Sequence, residues 1–478
     1  MASYISKRGE KSADLENILL ECFEKVMSNP FDNEKNPAGI INMGTSENKL
    51  IVDILSERFK KICLDGMPQC YMQYADMRGL PEFRQSLATF LNKYMKPAEP
   101  FEKDNLYVFN GCGSVIEMLG FAICDDGDCL LVPAPYYGAF KTDLACRMGC
   151  VIYSVDLSSE VKKEFGEKEP FELSVGRLEE AFVKAESEGH KVCGIILANP
   201  NNPLGNIYTK SQIEDYLKFA ARHNIHVILD EIYFLSIYEK EAQFTGGRSI
   251  VGAIDPKLLH IVWGFSKDFA MSGFRCGLVH TVNKQVERVL NANAYFQSVP
   301  TPAQFMLQSI TDDHDWLDKV YFPTNQSRLL AAKNFVCKEL ADIGVPIYPS
   351  AAGLFVWVNF KSYVKPLSRE GELKLLNAFL DNGVYICPGV AFHSKEYGWF
   401  RIIFSLKQHE LISGIQRVKD VLQNINRNES GAGENLDELV VNFQRLVRES
   451  DWLENNTAEK WVKENPELAA KFVEQKSD

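Results

Sequence analysis

An α/β fold built on a largely parallel sheet is what this sequence predicts, and two features of the chain predict it. From about residue 105, short apolar runs ("NLYVF", "CLLVP", "VIYSV", "CGIILA", "IHVILD", "LLHIVWG" and "CGLVH") alternate with longer amphipathic segments such as "VGRLEEAFVKAESEGH" and "KSQIEDYLKFAARHN". Unbroken Val, Ile and Leu runs suit strands buried on both faces, which is the condition of a parallel sheet covered by helices. Such a sheet holds its ligands in the crevice beyond the strand ends.

Ahead of the sheet, Leu15, Ile18, Leu19, Cys22, Phe23 and Val26 share one stripe at helical spacing, so an amphipathic helix is predicted over 15–26. "NPFDNEKNPAGIINMG" follows as an irregular arm, with Pro30 and Pro37 breaking regular structure. Beyond residue 320, "NQSRLLAAKNFVCKELADIG" predicts a helix, and "GLFVWVNF" and "GWFRIIFS" predict strands of a smaller α+β unit that the arm completes. "NESGAGEN", residues 428–435, predicts a flexible linker. After it Leu436, Leu439, Val440, Phe443, Leu446 and Val447 lie on one helical face expected to dock on the body. The expected division is 1–64 for the N-terminal helix and arm, 65–320 for a large domain, 321–427 for a small one and 428–478 for an acidic linker and helical tail. The chain has no fixed-period repeat.

Composition narrows the function. The 478 residues are 46% hydrophobic and 24% charged, an ordinary globular balance with room for two or three domains. A net charge of -12 argues against nucleic acid or an anionic membrane as partner, because both draw on clustered Lys and Arg. The twelve cysteines contain no CxxC, and no segment of about 20 apolar residues occurs, so a reducing, cytoplasmic setting is expected. His223 and His226 of "HNIH" straddle an expected helix end and strand start with no third ligand nearby, so no metal site is expected.

The chemistry is read from the strand ends. Lys267 follows the run "HIVWGFS". Most lysines are solvated surface charges, so Lys267 alone carries no argument. Asp230 ends the apolar run of "HVILDEIYF" with Tyr233 three residues on; a strand-end cap is the bland reading. "NGCGS", residues 110–114, stands between a strand and a helix, where small residues such as Gly113 let backbone N–H groups approach an anion. Arg275 follows Lys267 by eight residues and can reach the same anion. "PAPYYG" offers the rings of Tyr136 and Tyr137 for stacking, and "NPNNPLG" offers Asn202 as a donor to a phenolate oxygen. Each is plain turn chemistry when taken singly. Together they are what pyridoxal 5′-phosphate needs: a Schiff-base lysine, an acid against its ring nitrogen and a phosphate cradle.

In this order the segments resemble the fold type I pyridoxal phosphate enzymes, aminotransferase class I and II, through roughly residues 36–425. "NMGTSENKL", "RGLPEFR", "VPAPYYGAF", "NPNNPLGN", "SKDFAMSGFRCG", "GLFVWV" and "YGWFRIIFS" are similar to the blocks of 1-aminocyclopropane-1-carboxylate synthase and its synthase-like relatives. The resemblance implies a mostly parallel seven-stranded sheet between helices, with Lys267 as the Schiff-base lysine and Arg275 as the phosphate arginine. It further implies that Glu47 seats a sulfonium substrate and Arg401 grips an α-carboxylate, a task suited to a planar fork.

Two departures matter. Plant synthases carry a serine where this chain has Gly264, so Ser266 and Ser114 are expected to supply the phosphate hydroxyls. They carry a tyrosine where this chain has Met77, and Tyr74 is then the expected phenol that reaches the phosphate of a neighbouring subunit in a homodimer. The implied activity is that of an enzyme on a small amino acid, with cyclopropane formation from S-adenosylmethionine weak or absent. Transamination or C–S β-elimination on another amino acid is the alternative, and a catalytically silent scaffold the second.

Overall fold

All seven apolar runs become strands, and alternation of side chains carries each strand's residues to opposite helical layers. The computed structural model describes residues 4–64 and 66–430. After a two-residue strand β1 (Ile41–Asn42) come β2 (Leu106–Phe109), β3 (Cys129–Ala134), β4 (Val151–Asp156), β5 (Val192–Ala198), β6 (His226–Asp230), β7 (Leu259–Gly264) and β8 (Gly277–His280). They form one sheet in the order β2-β8-β7-β6-β5-β3-β4. β8 runs antiparallel to β2 and β7, and the remaining pairs are parallel. Leu130, Val132, Ile196, Ile228 and Val262 pack with Val115, Leu119, Phe140 and Leu290 of the helices on one face. Leu131, Leu197, Leu229 and Trp263 pack with Leu178, Ile213 and Leu217 on the other. Burial on both faces is why the runs show no polar alternation.

Caps fix the helices that cross between strands. Thr209 and Gln212 form a capping box that starts helix Lys210–His223, and Asn224 ends it in the left-handed region at φ 53. His223 therefore closes a helix, with Nε2 2.8 Å from Glu179, while His226 opens β6 with Nδ1 3.0 Å from His260 Nε2. The N-terminal helix runs Ile18–Ser28 rather than from residue 15, because the Asn17 side chain accepts from the Leu20 N–H and caps it there. It buries Cys22 and Val26, and Phe23 stays 38% exposed. A further helix, Lys7–Ala13, buries nothing and so left no apolar stripe to read.

In the last third, β9 (Ile347–Tyr348), β10 (Phe355–Asn359), β12 (Cys387–Pro388) and β13 (Trp399–Ile403) form an antiparallel sheet in the order β12-β13-β10-β9, and β11 (Val384–Tyr385) lies between them in sequence. β1 pairs in parallel with β11, tying the N-terminal arm to this part of the molecule. Helices Phe322–Ala341 and Gln408–Ser430 are joined by a buried ion pair, Lys419 Nζ to Glu339 Oε2 at 2.7 Å. The second of these helices continues through the first residues of the expected linker. The rest of that linker and the apolar stripe at 436–447 lie outside the described residues. Among the described residues, no helix is long and apolar enough to cross a membrane.

Candidate active site

The carboxyl ends of β3, β5, β6 and β7 open on a cavity of about 210 Å³ lined by Gly113, Tyr137, Asn202, Asp230, Tyr233, Ser266, Lys267 and Arg275. These eight come from five separate stretches of chain. The sheet brings them together by ending its strands on one side.

Lys267 is held by the turn that carries it. After β7 the chain makes one helical turn, Phe265–Asp268, and the buried Asp268 carboxylate accepts from Leu235 N at 3.1 Å, Ser236 Oγ at 2.7 Å and Trp263 Nε1 at 3.0 Å. Tyr321 donates to the Asp268 carbonyl at 2.8 Å from the opposite side. With the turn pinned, Lys267 Nζ reaches the Ser46 carbonyl at 2.6 Å. Burial, then the nearby Arg401 guanidinium, push its pKa down to about 8.

Asp230, the last residue of β6, receives the Ile232 N–H at 3.3 Å. Burial raises its pKa to about 7, against the pull of that N–H and of the Lys267 ammonium. A cationic ring N–H set beside it would restore the carboxylate, which is the partnership a pyridinium requires. Tyr233 lies next to it, its hydroxyl 2.9 Å from Ser46 Oγ.

Arg401, in β13, is 3% exposed, with its guanidinium 4.6 Å from the Phe392 ring centre. Nη1 donates to Asn202 Oδ1 at 2.8 Å and Nη2 to the Gly44 carbonyl at 2.6 Å. Asn202 thus spends its oxygen on Arg401 and keeps its amide N–H₂ as the donor. Glu47, on the same arm as Gly44 and Ser46, accepts from Ser272 Oγ at 3.0 Å and is exposed.

The glycine turn of "NGCGS" opens helix Cys112–Ile123. Gly111 takes φ 86, and a Cβ there would stand 2.7 Å from Arg275 Nη2, so the guanidinium lies directly against the glycine turn. Arg275 is itself left-handed at φ 51, a conformation rare for a long side chain and common at sites that fix a group in place. Open glycine backbone, a helix N-terminus and a guanidinium make a fitting anion receptor.

Ser114, in the first turn of helix Cys112–Ile123, donates its hydroxyl to the Asn110 carbonyl at 3.0 Å, the local bond a serine in a first helical turn readily makes. Gly264 is no simple gap: a Cβ there would come within 2.8 Å of both Cys112 Sγ and the Cys276 carbonyl. Cys112 and the β8 backbone fill the room a serine would use. Tyr74 stands apart, 90% exposed on a groove of about 730 Å³ that Met77 also lines.

The sequence reading missed Cys112, Ile116, Asp143, Ala198, Ile232 and Ser272, which also line the cavity. Asp143 had a legible signal: it follows Phe140 by three residues on a helix whose buried residues are Phe140 and Leu144. An acid on a buried stripe calls for a reason.

The family model for aminotransferase class I and II matches residues 38–418. The 1-aminocyclopropane-1-carboxylate synthase-like protein 1 of Bos taurus is 39% identical over 420 residues, covering 88% of this chain and 83% of that protein. A probable inactive 1-aminocyclopropane-1-carboxylate synthase-like protein 2 of Mus musculus is 37% identical over 418 residues, covering 87% of this chain and 72% of that protein. In structure, a double mutant of Thermus thermophilus aspartate aminotransferase superposes with a TM-score of 0.69 at 19% identity, covering 88% of this chain and 100% of that one, a likeness of fold. The cavity fits pyridoxal 5′-phosphate, the cofactor of this family, with a lysine, an acid and an anion cradle on the same strand ends. By its sequence throughout residues 38–418, the chain belongs to the aminotransferase class I and II family, among its 1-aminocyclopropane-1-carboxylate synthase-like members.

Proposed function

We propose that this chain is a pyridoxal phosphate enzyme acting on an amino acid, in which cyclopropane formation from S-adenosylmethionine is weak or absent. The observation that carries the reading is the placement of Lys267 and Asp230 in one cavity of about 210 Å³, with the lysine pKa brought down to about 8. When bound, the pyridine ring supplies an electron sink for the substrate's α-carbon. Lys267 would hold the cofactor, and its free amine would serve as the base for the substrate's α-proton. Asp230 keeps the ring nitrogen protonated, Tyr233 and Asn202 address its phenolic oxygen, and Tyr137 stacks on the ring. Gly113, Ser266 and Arg275 take the phosphate. Arg401 exchanges the Gly44 carbonyl for the substrate α-carboxylate, and Glu47 addresses the far end of the substrate.

Ring closure demands close alignment of carbanion, γ-carbon and leaving sulfur, whereas proton removal is less exacting. With Gly264 in place of a serine and no room there for a side chain, one hydroxyl near the cofactor is lost, which weighs more on closure than on transamination or β-elimination. The reading includes a homodimer in which Tyr74 reaches the neighbour's phosphate, and a reducing, cytoplasmic setting in keeping with twelve free thiols.

The test is a panel of amino acids, S-adenosylmethionine among them, followed by α-proton exchange in deuterated water and by methylthioadenosine release. Exchange with at least one amino acid and little methylthioadenosine is expected. A cofactor-loaded protein that exchanges no α-proton would establish the silent scaffold instead. Stoichiometric methylthioadenosine and cyclopropane acid at about 1 per second or faster would establish a full synthase.

A further inference from the structure

We infer that Asp143 is a phosphate-binding residue of this site, acting as a neutral carboxylic acid that donates its hydrogen to a phosphate oxygen. The inference rests on the reading of the Lys267 cavity as a pyridoxal phosphate site. Asp143 lies on helix Ala139–Ala145, just after Tyr137, and lines the cavity with Gly113 and Arg275. Its Oδ1 stands 3.2 Å from where a Cβ on Gly113 would be, so the carboxyl group faces the open backbone of the glycine cradle. Its Oδ2 is buried and has no hydrogen-bond partner among the described residues. A buried carboxylate oxygen left in this state is costly, and either a cation or a proton must answer for it.

No cation does. Among the described residues no ion pair joins Asp143 to Arg275, whose Nη1 instead donates to the Ser272 carbonyl at 3.2 Å. The groups that face Asp143 are mostly acidic. Glu117 of helix Cys112–Ile123 is paired with Arg147 at 2.7 Å, Asp230 ends β6, and the Tyr137 phenol lies across the cavity. Burial, then Glu117 and Asp230, raise the Asp143 pKa to about 7, with Arg275 alone opposing them. A carboxylate here would repel a phosphate dianion; a carboxyl group would bond to it, and the phosphate's own charge tightens the hold on that proton. Asp143 then supplies a donor in a site where Cys112 and the Cys276 carbonyl leave no room for a hydroxyl on residue 264.

The test uses pyridoxamine 5′-phosphate, which binds without forming a bond to Lys267, and pyridoxamine as the control lacking phosphate. Their dissociation constants are measured from about pH 6 to 8.5 for the wild-type apoprotein, Asp143→Asn and Asp143→Ala. An amide donates at every pH, so Asp143→Asn is expected to match the wild type near pH 6 and to bind about 30-fold more tightly near pH 8.5. That factor follows from about tenfold per pH unit above a pKa of about 7. Asp143→Ala should bind more weakly than Asp143→Asn throughout, and the divergence should vanish with pyridoxamine. Parallel wild-type and Asp143→Asn profiles, or equal binding by the two variants, would overturn the role of Asp143 alone. A wild-type chain with no phosphate-dependent affinity at any pH would overturn the cofactor site itself.

Discussion

The surroundings of Lys267 favour its neutral amine. A solvated lysine titrates near 10.4, whereas this one is brought to about 8 by burial and by Arg401. Because the neutral amine is the nucleophile, covalent capture of pyridoxal phosphate should quicken about tenfold per pH unit below about 8 and level off above it. A stopped-flow rate that climbs steadily to pH 10 would assign the reaction to an ordinary lysine. Asp230→Asn should keep the cofactor bound yet slow α-proton exchange by about 10²-fold or more, because an amide cannot sustain a protonated ring nitrogen. Near-normal exchange in that variant would place the partner of the ring nitrogen elsewhere. Neither residue carried an argument singly; each was picked out because the glycine turn, Arg275 and the aromatic pair stand on neighbouring strand ends, and the fold sets Lys267 and Asp230 on one cavity. Asp143 left a signal as an acid three residues after the buried Phe140, but its place opposite Gly113, about thirty residues earlier, comes only with the fold. For Ser114 the spacing shows that a hydroxyl is near the glycine turn but not that it bonds back to Asn110.

Elements were legible to the extent that burial leaves a pattern. Each run from "NLYVF" to "CGLVH" became a strand, buried throughout in β2, β3, β5, β7 and β8 and only half-buried in the edge strand β4. The reversal of β8 was hidden, since a central strand buried on both sides reads alike in either direction. Helix Lys7–Ala13 was invisible because it buries nothing. The two long helices of the last third depend on Lys419 and Glu339, whose side chains are 2% and 0% exposed. Lys419→Met removes the ammonium from a buried carboxylate and is expected to cost about 3–5 kcal/mol in urea unfolding. The paired change Lys419→Met with Glu339→Leu should recover most of that loss. A single variant as stable as the wild type would show that the pair contributes nothing.

At the scale of the whole molecule, the groove of about 730 Å³ carries exposed Met72 and Tyr74, and Tyr295 and Phe296 are also exposed. This much apolar surface suits a second copy of the chain. If Tyr74 completes the neighbour's site, mixing Tyr74→Phe with Lys267→Ala should yield hybrids in which one site carries both defects and the other carries neither. Activity should then reappear in verified hybrids, and its failure to do so would confine each site to one subunit.

The hold of Lys267 on pyridoxal phosphate, in the cavity beyond β6 and β7, is the step on which the proposed function turns. It is tested most directly by borohydride reduction of the cofactor-loaded protein followed by peptide mass spectrometry. A single phosphopyridoxyl adduct on Lys267, absent from Lys267→Ala, is expected; an adduct on another lysine, or none on a folded and loaded chain, would overturn the assignment.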